Sequence, residues 1–251
     1  PTGFSDLRFA APLPLPEAVT RECRITARSQ SWLLQDGVMT RMCHVRLQSR
    51  DLAPNLRRIN HFSPLARGMV FLAAAAGSLP PLWDGEMAVT GPDLPLEDFY
   101  AGCGMAEGWR LLEELAPAGD DLWQGRFDGM AQGIAPVGKS GYCSLLSAVD
   151  AILQAACRIM EETVPGAELA GGRLLWPQGW RLSGIGFIRF ADAGLLSGAR
   201  MPWRIQLRRG WDDERLQRYD AQVVDADGRV LLTLHQMEFE KDIRPQEGAG
   251  A

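Results

Sequence analysis

The sequence predicts an α+β chain in which curved antiparallel sheets wrap on a long buried helix. Three observations carry this. Residues 145–160 are apolar on nearly every helical face, through Leu145, Leu146, Val149, Ile152, Leu153, Ala156, Ile159 and Met160, and a helix apolar all round is normally buried. Four segments after it alternate apolar and polar residues, the pattern of strands with one face covered and one wet. Residues 4–50 show the same alternation.

In chain order, residues 7–9 form a short strand that runs into Pro12, Pro14 and Pro16, too interrupted for a central strand. Residues 22–27 place Cys23, Ile25 and Ala27 on one side. Residues 39–47 place Met39, Arg41, Cys43, Val45 and Leu47 together, and Gln35-Asp36-Gly37 supplies a hairpin turn between the two runs. Residues 4–50 therefore read as an antiparallel meander. Prolines 54, 64, 80, 81, 92 and 95 break up residues 51–98, where a short helical piece is predicted over 66–76. This is the expected boundary between two units. Residues 97–114 look helical, with Gly102, Gly104 and Gly108 weakening the pattern. Residues 122–127 form a strand, and a Gly/Pro-rich loop over 129–141 leads into the central helix. Thr163-Val164-Pro165-Gly166 ends that helix. Strands follow over 180–190, 203–207, 216–224 and 229–240, the last two joined at Asp227-Gly228. The resulting division is a β-rich remainder of a first unit at 1–62, a linker at 63–95, a second unit with its central helix at 96–242, and a disordered tail at 243–251.

The two strand-rich regions repeat one plan. Each opens on a strand with an aromatic in a Leu/Ile-x-Phe context, Leu7-Arg8-Phe9 in one and Phe187-Ile188-Arg189-Phe190 in the other. Each continues with a long alternating strand and a hairpin. Only the second is preceded by a long apolar helix. A curved antiparallel sheet on one long helix is the hotdog arrangement, so the chain is expected to be a double hotdog whose first member is incomplete in this chain. The start at Pro1, with no initiator Met, is read as the cut end of something longer, with processing as the alternative.

Composition excludes several classes of function. The net charge is −5 with no basic stripe, which argues against nucleic acid. No apolar run is long enough to span a membrane, and residues 1–4 do not open a signal peptide. The five cysteines, 23, 43, 103, 143 and 157, form no Cys-x-x-Cys pair, and His44, His61 and His235 are scattered. No metal or other cofactor is implied, and buried free thiols fit a reducing cytoplasm. Gly133 to Ser140 formally matches a phosphate loop, but Ala135-Pro136 and the antiparallel context argue against nucleotide binding. Ser140 and Ser144 lack a nucleophile elbow.

Two polar residues interrupt the central helix. Asp150 and Gln154, at i and i+4, lie one above the other on the same face. An ionised carboxyl among apolar neighbours is costly unless paired, so it shifts its pKa or finds a partner. Asp150 is thereby a candidate acid. A plainer reading pairs it with Arg158 at the solvent end or has it cap a neighbouring loop.

Asp150-Ala151-Ile152-Leu153-Gln154 resembles the Asp-x-x-x-Gln motif on the second hotdog helix of polyketide synthase dehydratase domains. Residues 7–16, Glu97-Asp98-Phe99-Tyr100 and residues 219–230 are similar, in order and spacing, to the strand after the first helix, the Phe-Tyr opening of the second hotdog and the last hairpin of that family. The resemblance implies removal of water from a β-hydroxyacyl chain carried on the phosphopantetheine arm of an acyl carrier protein. It implies a His on the first hotdog as base and Asp150 as acid, with Gln154 orienting the acid or the substrate. Tyr100, Trp109, Trp176 and Trp180 become candidates for lining the substrate tunnel, core packing being the alternative for the tryptophans. The implied partners are the acyl carrier protein, other synthase domains, and either a second copy in a homodimer or a partner chain supplying the first hotdog helix. Departures are clear. The His-x-x-x-Gly-x-x-x-x-Pro motif is absent, Leu145-Leu146 stands where His-Pro is usual, and Glu107-Gly108-Trp109 stands where Tyr-Gly-Pro is usual. Either the base lies outside residues 1–251, or the domain keeps the shape without the reaction and serves as a dimerisation or chain-binding module. A cyclase or isomerase would use the same tunnel.

Overall fold

The structure, a computed structural model, describes residues 2–10, 20–35, 38–53, 55, 60–73, 79–83, 87–105, 107–127, 142–164, 179–192, 195 and 199–241. Its strands are β1 (Gly3–Phe9), β2 (Thr20–Gln35), β3 (Val38–Leu52), β4 (Ser63–Ala73), β5 (Leu112–Gly119), β6 (Leu122–Phe127), β7 (Trp180–Phe190), β8 (Trp203–Asp212), β9 (Leu216–Val224) and β10 (Val230–Lys241). Helix α1 covers Leu96–Gly102 and α2 covers Tyr142–Thr163. All ten strands join one antiparallel sheet in the order β2-β3-β4-β1-β7-β10-β9-β8-β6-β5.

That order contains the repeat seen in the sequence. Reading outward from the centre, β1, β4, β3 and β2 run one way and β7, β10, β9 and β8 run the other. The two aromatic-bearing opening strands, β1 and β7, pair with each other, Phe4 against Ile188 and Ser5 against Phe187. On the outer face the junction is tied by Glu238 of β10, which accepts from Arg8 of β1 and from Arg218 of β9 at 2.8 Å. Arg8 reaches across β7 because the intervening residue is Gly184; a Cβ there would stand 2.6 Å from Arg8 Nη1.

Helix α2 packs on the second half of the sheet, against β5, β6, β8 and β9. Ala148, Ala151, Ile152, Ala155, Ala156, Ile159 and Met160 have no exposed surface. The alanines let the helix lie close to the sheet, whose inner face supplies Ile205, Leu207, Tyr219, Val223 and Phe239 to the same core. Burying such a surface is the main source of stability in a domain of this kind.

Three expectations need correction. Of the helix expected over 66–76, the described residues 66–73 are strand: β4 begins at Ser63, at the start of the expected linker, and bonds to both β3 and β1. Strand β1 is not part of a meander with β2 and β3, since it lies beyond β4. The helix expected over 97–114 stops at Gly102. Gly104 takes a left-handed φ of 63°, Met105 N–H returns to Tyr100 O, and residues from Leu112 onward enter β5. Among the cysteines, Cys103 and Cys157 are buried and free, but Cys23 is free and exposed. The hairpin tip at Asp36-Gly37, the phosphate-loop-like segment 133–140 and the tail 243–251 lie outside the described residues.

The connector returns over the second half. Leu82 N–H donates to Gln222 on the outer face, and Thr90 and Leu94 donate to Pro117 and Leu115 of edge strand β5. No counterpart of α2 covers the inner face of β1–β4 among the described residues. Register places Ile25, Leu47 and Ala66 in one row of that face and Leu34 opposite Met39 in another. Ile25 is 73% and Leu34 66% exposed.

Candidate active site

Asp150 and Gln154 stand where the helical period puts them, one turn apart on α2, with Gln154 Nε2 donating to Asp150 Oδ2 at 3.0 Å. Gln154 is fully buried and Asp150 half-buried. Between Ser147 and Met160, Val149, Asp150 and Leu153 form an open stripe on a helix that is otherwise buried there.

The chain reversal at Gly104 brings residues 109–112 against this turn of α2. Gln154 Nε2 also donates to the carbonyl of Trp109 at 2.9 Å, and Gln154 Oε1 accepts from Leu111 N–H at 3.2 Å. Tyr100 of α1 completes the set, donating its hydroxyl to Gln154 Oε1 at 3.0 Å and accepting from Leu112 N–H at 2.9 Å. The Gln154 amide thus has every donor and acceptor engaged, as a buried amide requires. Arg110 lies over the Tyr100 ring at 5.6 Å and is held by Glu97 and the Met105 carbonyl.

Burial pushes the Asp150 carboxyl above its usual range, and the Gln154 hydrogen bond offsets part of that rise. Burial likewise pushes Tyr100 up to about 12. Cys103 and Cys157 are raised by the same cause. At neutral pH the neighbouring Tyr100, Cys103 and Cys157 therefore stay uncharged. A carboxyl that keeps its proton more readily than usual can deliver it to a leaving group.

The other candidates separate. Tyr100 is buried and bonded to Gln154, on the side of the amide away from Asp150 Oδ2. Trp109 anchors Gln154 by its carbonyl while its side chain is 45% exposed. Trp180 is buried in the core cluster on β7, and Trp176 lies outside the described residues. Arg158 does not pair with Asp150: it donates to the Pro95 carbonyl and to Glu162. No described imidazole belongs to this network. His44 and His235 share one register row through Met69, Ser5 and Phe187, on the sheet face turned away from α2. His61 is exposed between β3 and β4. Among the described residues no cluster of His, Cys, Asp or Glu could hold a metal ion, and no described helix is long and apolar enough to cross a membrane.

No family profile matches the sequence, and no curated protein matches it. Solved structures do. The dehydratase domain from the CurH module of the curacin polyketide synthase superposes with a TM-score of 0.62 at 12% identity, over 96% of this chain and 77% of that one. An N-terminal dehydratase from the difficidin assembly line gives 0.61 at 10% identity, over 98% and 78%. The bifunctional dehydratase-cyclase domain of ambruticin biosynthesis gives 0.59 at 15% identity, over 95% and 75%. The fold is that of polyketide synthase dehydratase domains. The double hotdog read from the strand pattern is therefore the architecture, with α2 as the helix of its second half.

Proposed function

We propose that this chain is a dehydratase-type domain of a polyketide or related synthase. Its substrate is a β-hydroxyacyl thioester presented on the phosphopantetheine arm of an acyl carrier protein. The observation that carries the reading is the half-buried Asp150 carboxyl, raised by burial and held at one oxygen by a fully buried and fully bonded Gln154. In the reaction a base takes the α-proton and the C–H electron pair becomes the α,β double bond. The β-C–O bond breaks, and Asp150 gives its proton to the departing hydroxyl, which leaves as water. The proton on the base returns to Asp150 through solvent. The exposed side chain of Trp109 and the stripe of Val149 and Leu153 supply apolar surface for the acyl chain.

The base is an imidazole from outside residues 1–251. A helix supplied by the wider polypeptide or by a partner subunit would carry it and cover the apolar inner face of β1–β4. Cytoplasmic synthase domains and a homodimeric arrangement belong to the same proposal.

The test is to incubate the intact polypeptide with a β-hydroxyacyl carrier protein and follow the acyl chain by mass spectrometry. Loss of one water supports the reading; an unchanged acyl chain refutes it. A second reading draws on the absence of an imidazole from the described network: a double hotdog that binds the chain or holds a dimer without reacting. Retention of the acyl carrier protein with no loss of water would favour it. The dehydratase-cyclase neighbour also motivates a cyclase on the same scaffold, recognised by a ring-closed product.

A further inference from the structure

We propose that Leu112, Tyr100 and Gln154 form a one-way hydrogen-bond relay that confines the exchangeable proton of Asp150 to Oδ1, making Tyr100 a positioning residue for the acid. The proposal rests on the reading of Asp150 as the acid. It adds which oxygen is the acidic one and what fixes it.

The argument follows the direction of each bond. A backbone N–H can only donate, and Leu112 N–H donates to the Tyr100 hydroxyl at 2.9 Å. The hydroxyl must therefore send its own proton elsewhere. Gln154 Oε1 at 3.0 Å is better placed to receive it than the Leu112 carbonyl at 3.4 Å. The atom receiving it also receives Leu111 N–H, so two donors identify it as the amide oxygen. The amide nitrogen then has one hydrogen for the Trp109 carbonyl and one for Asp150 Oδ2. Oδ2 is committed to accepting. A proton on the carboxyl belongs on Oδ1, which has no hydrogen-bond partner among the described residues and stands on the open stripe of α2.

Among the described residues, none nearby reverses the chain of donors in the working range. Tyr100 ionises only near 12, so its hydroxyl keeps its proton. Cys103, and Cys157 one turn further along α2 than Gln154, are raised and stay neutral, and the Arg110 guanidinium lies over the Tyr100 ring. Without the Tyr100 hydroxyl, Gln154 Oε1 keeps only the longer bond from Leu111 N–H. The amide is then held more loosely and donates less well to Oδ2.

The relay is tested by ¹³C NMR of the full chain labelled at the aspartate carboxyl carbons, with Asp150 assigned by the resonance lost in Asp150→Asn. Tyr100→Phe should raise the Asp150 titration midpoint, because the carboxylate loses part of its donor. Replacing Tyr100 site-specifically with a ring-fluorinated tyrosine keeps the shape but makes the hydroxyl a stronger donor, and should lower the midpoint. Opposite shifts support the relay. Shifts in the same direction, or none, overturn it. If the Phe variant does not fold, the fluorinated variant decides alone: a lowered midpoint supports the relay and any other result ends it. The two proposals fail separately. Asp150→Asn that still dehydrates a β-hydroxyacyl thioester would remove the acid role and leave the shifts intact, whereas absent shifts in a chain whose dehydration needs Asp150 would remove the relay alone.

Discussion

Ile152 and Leu153 are adjacent on α2 and nearly equal in volume, yet the structure gives them different surroundings. Ile152 has no exposed surface, while Leu153 is half-buried on the open stripe beside Asp150. Truncation to alanine removes about three methylene equivalents from either side chain. At ~0.8 kcal/mol each, the transfer cost for Ile152→Ala is about 2.4 kcal/mol. The cavity left behind, in a core shared with the inner face of the sheet, brings the total to about 2–5 kcal/mol. Leu153→Ala exposes less new surface and leaves a site open to water, so about 1 kcal/mol is expected. For a chain of this size ~1 kcal/mol moves Tm by about 2–4 °C, so the Ile152 variant should melt roughly 5–15 °C lower and the Leu153 variant only a few degrees lower. Urea unfolding of both variants, with m-values unchanged from the parent, checks the difference. Equal costs at the two positions would refute an α2 that is closed on the Ile152 side and open on the Leu153 side.

Other consequences follow from charge and close packing. Asp150 is raised in the folded state, so its contribution to stability is full below the unfolded value and is lost as pH rises through the folded one. Asp150→Asn cannot ionise, and should melt with the parent in acid but above it at neutral and alkaline pH; a melting gap that shrinks as pH rises would contradict this. Asp225 behaves in the opposite sense. Burial would raise it, but donors from the Arg229 side chain and backbone and from the Arg200 backbone outweigh that and lower it. Its stabilisation is present above the unfolded value and should disappear as pH falls through the folded one. Asp225→Ala frees the Asp227 and Arg229 N–H groups of the β9–β10 turn and should cost about 1 kcal/mol in denaturant melts, an effect that vanishes in acid. Gly184→Ala places a methyl against Arg8 and the Leu7 carbonyl, and should cost about 1–3 kcal/mol. If the junction of the two halves tolerates it without a change in Tm, Glu238 does not depend on Arg8 reaching across β7.

Much of this was legible because the periodicities were long. Residues 145–160 carry four turns of apolar pattern, and the structure extends them only to Tyr142 and Thr163. Strands β7 and β9 match the runs read for them end to end. The similarity of residues 7–9 to residues 187–190 proved to be the pairing of two opening strands at the centre of the sheet. Strand β4 was missed for a physical reason. A short run such as Met69-Val70-Phe71-Leu72-Ala73 fits helix and strand equally by composition, and only β3 and β1 on either side decide it. The contact between Asp150 and Gln154 could be found because i and i+4 share a face. Their supports could not: the Trp109 carbonyl and the Leu111 and Leu112 N–H groups are backbone atoms, brought in by a reversal at Gly104 that side-chain patterning does not encode. The one available signal was Tyr100, a polar aromatic inside an apolar turn, and the structure bonds its hydroxyl to Gln154.

In the proposed reaction Asp150 supplies the proton that turns a β-hydroxyl into water. Single-turnover conversion of a β-hydroxyacyl carrier protein, read by mass for the intact polypeptide and for its Asp150→Asn form, tests it most directly. An acid in this role contributes about 10²–10⁴-fold, so the asparagine form should be slower by that factor while remaining folded. Equal rates in the two proteins would contradict the claim.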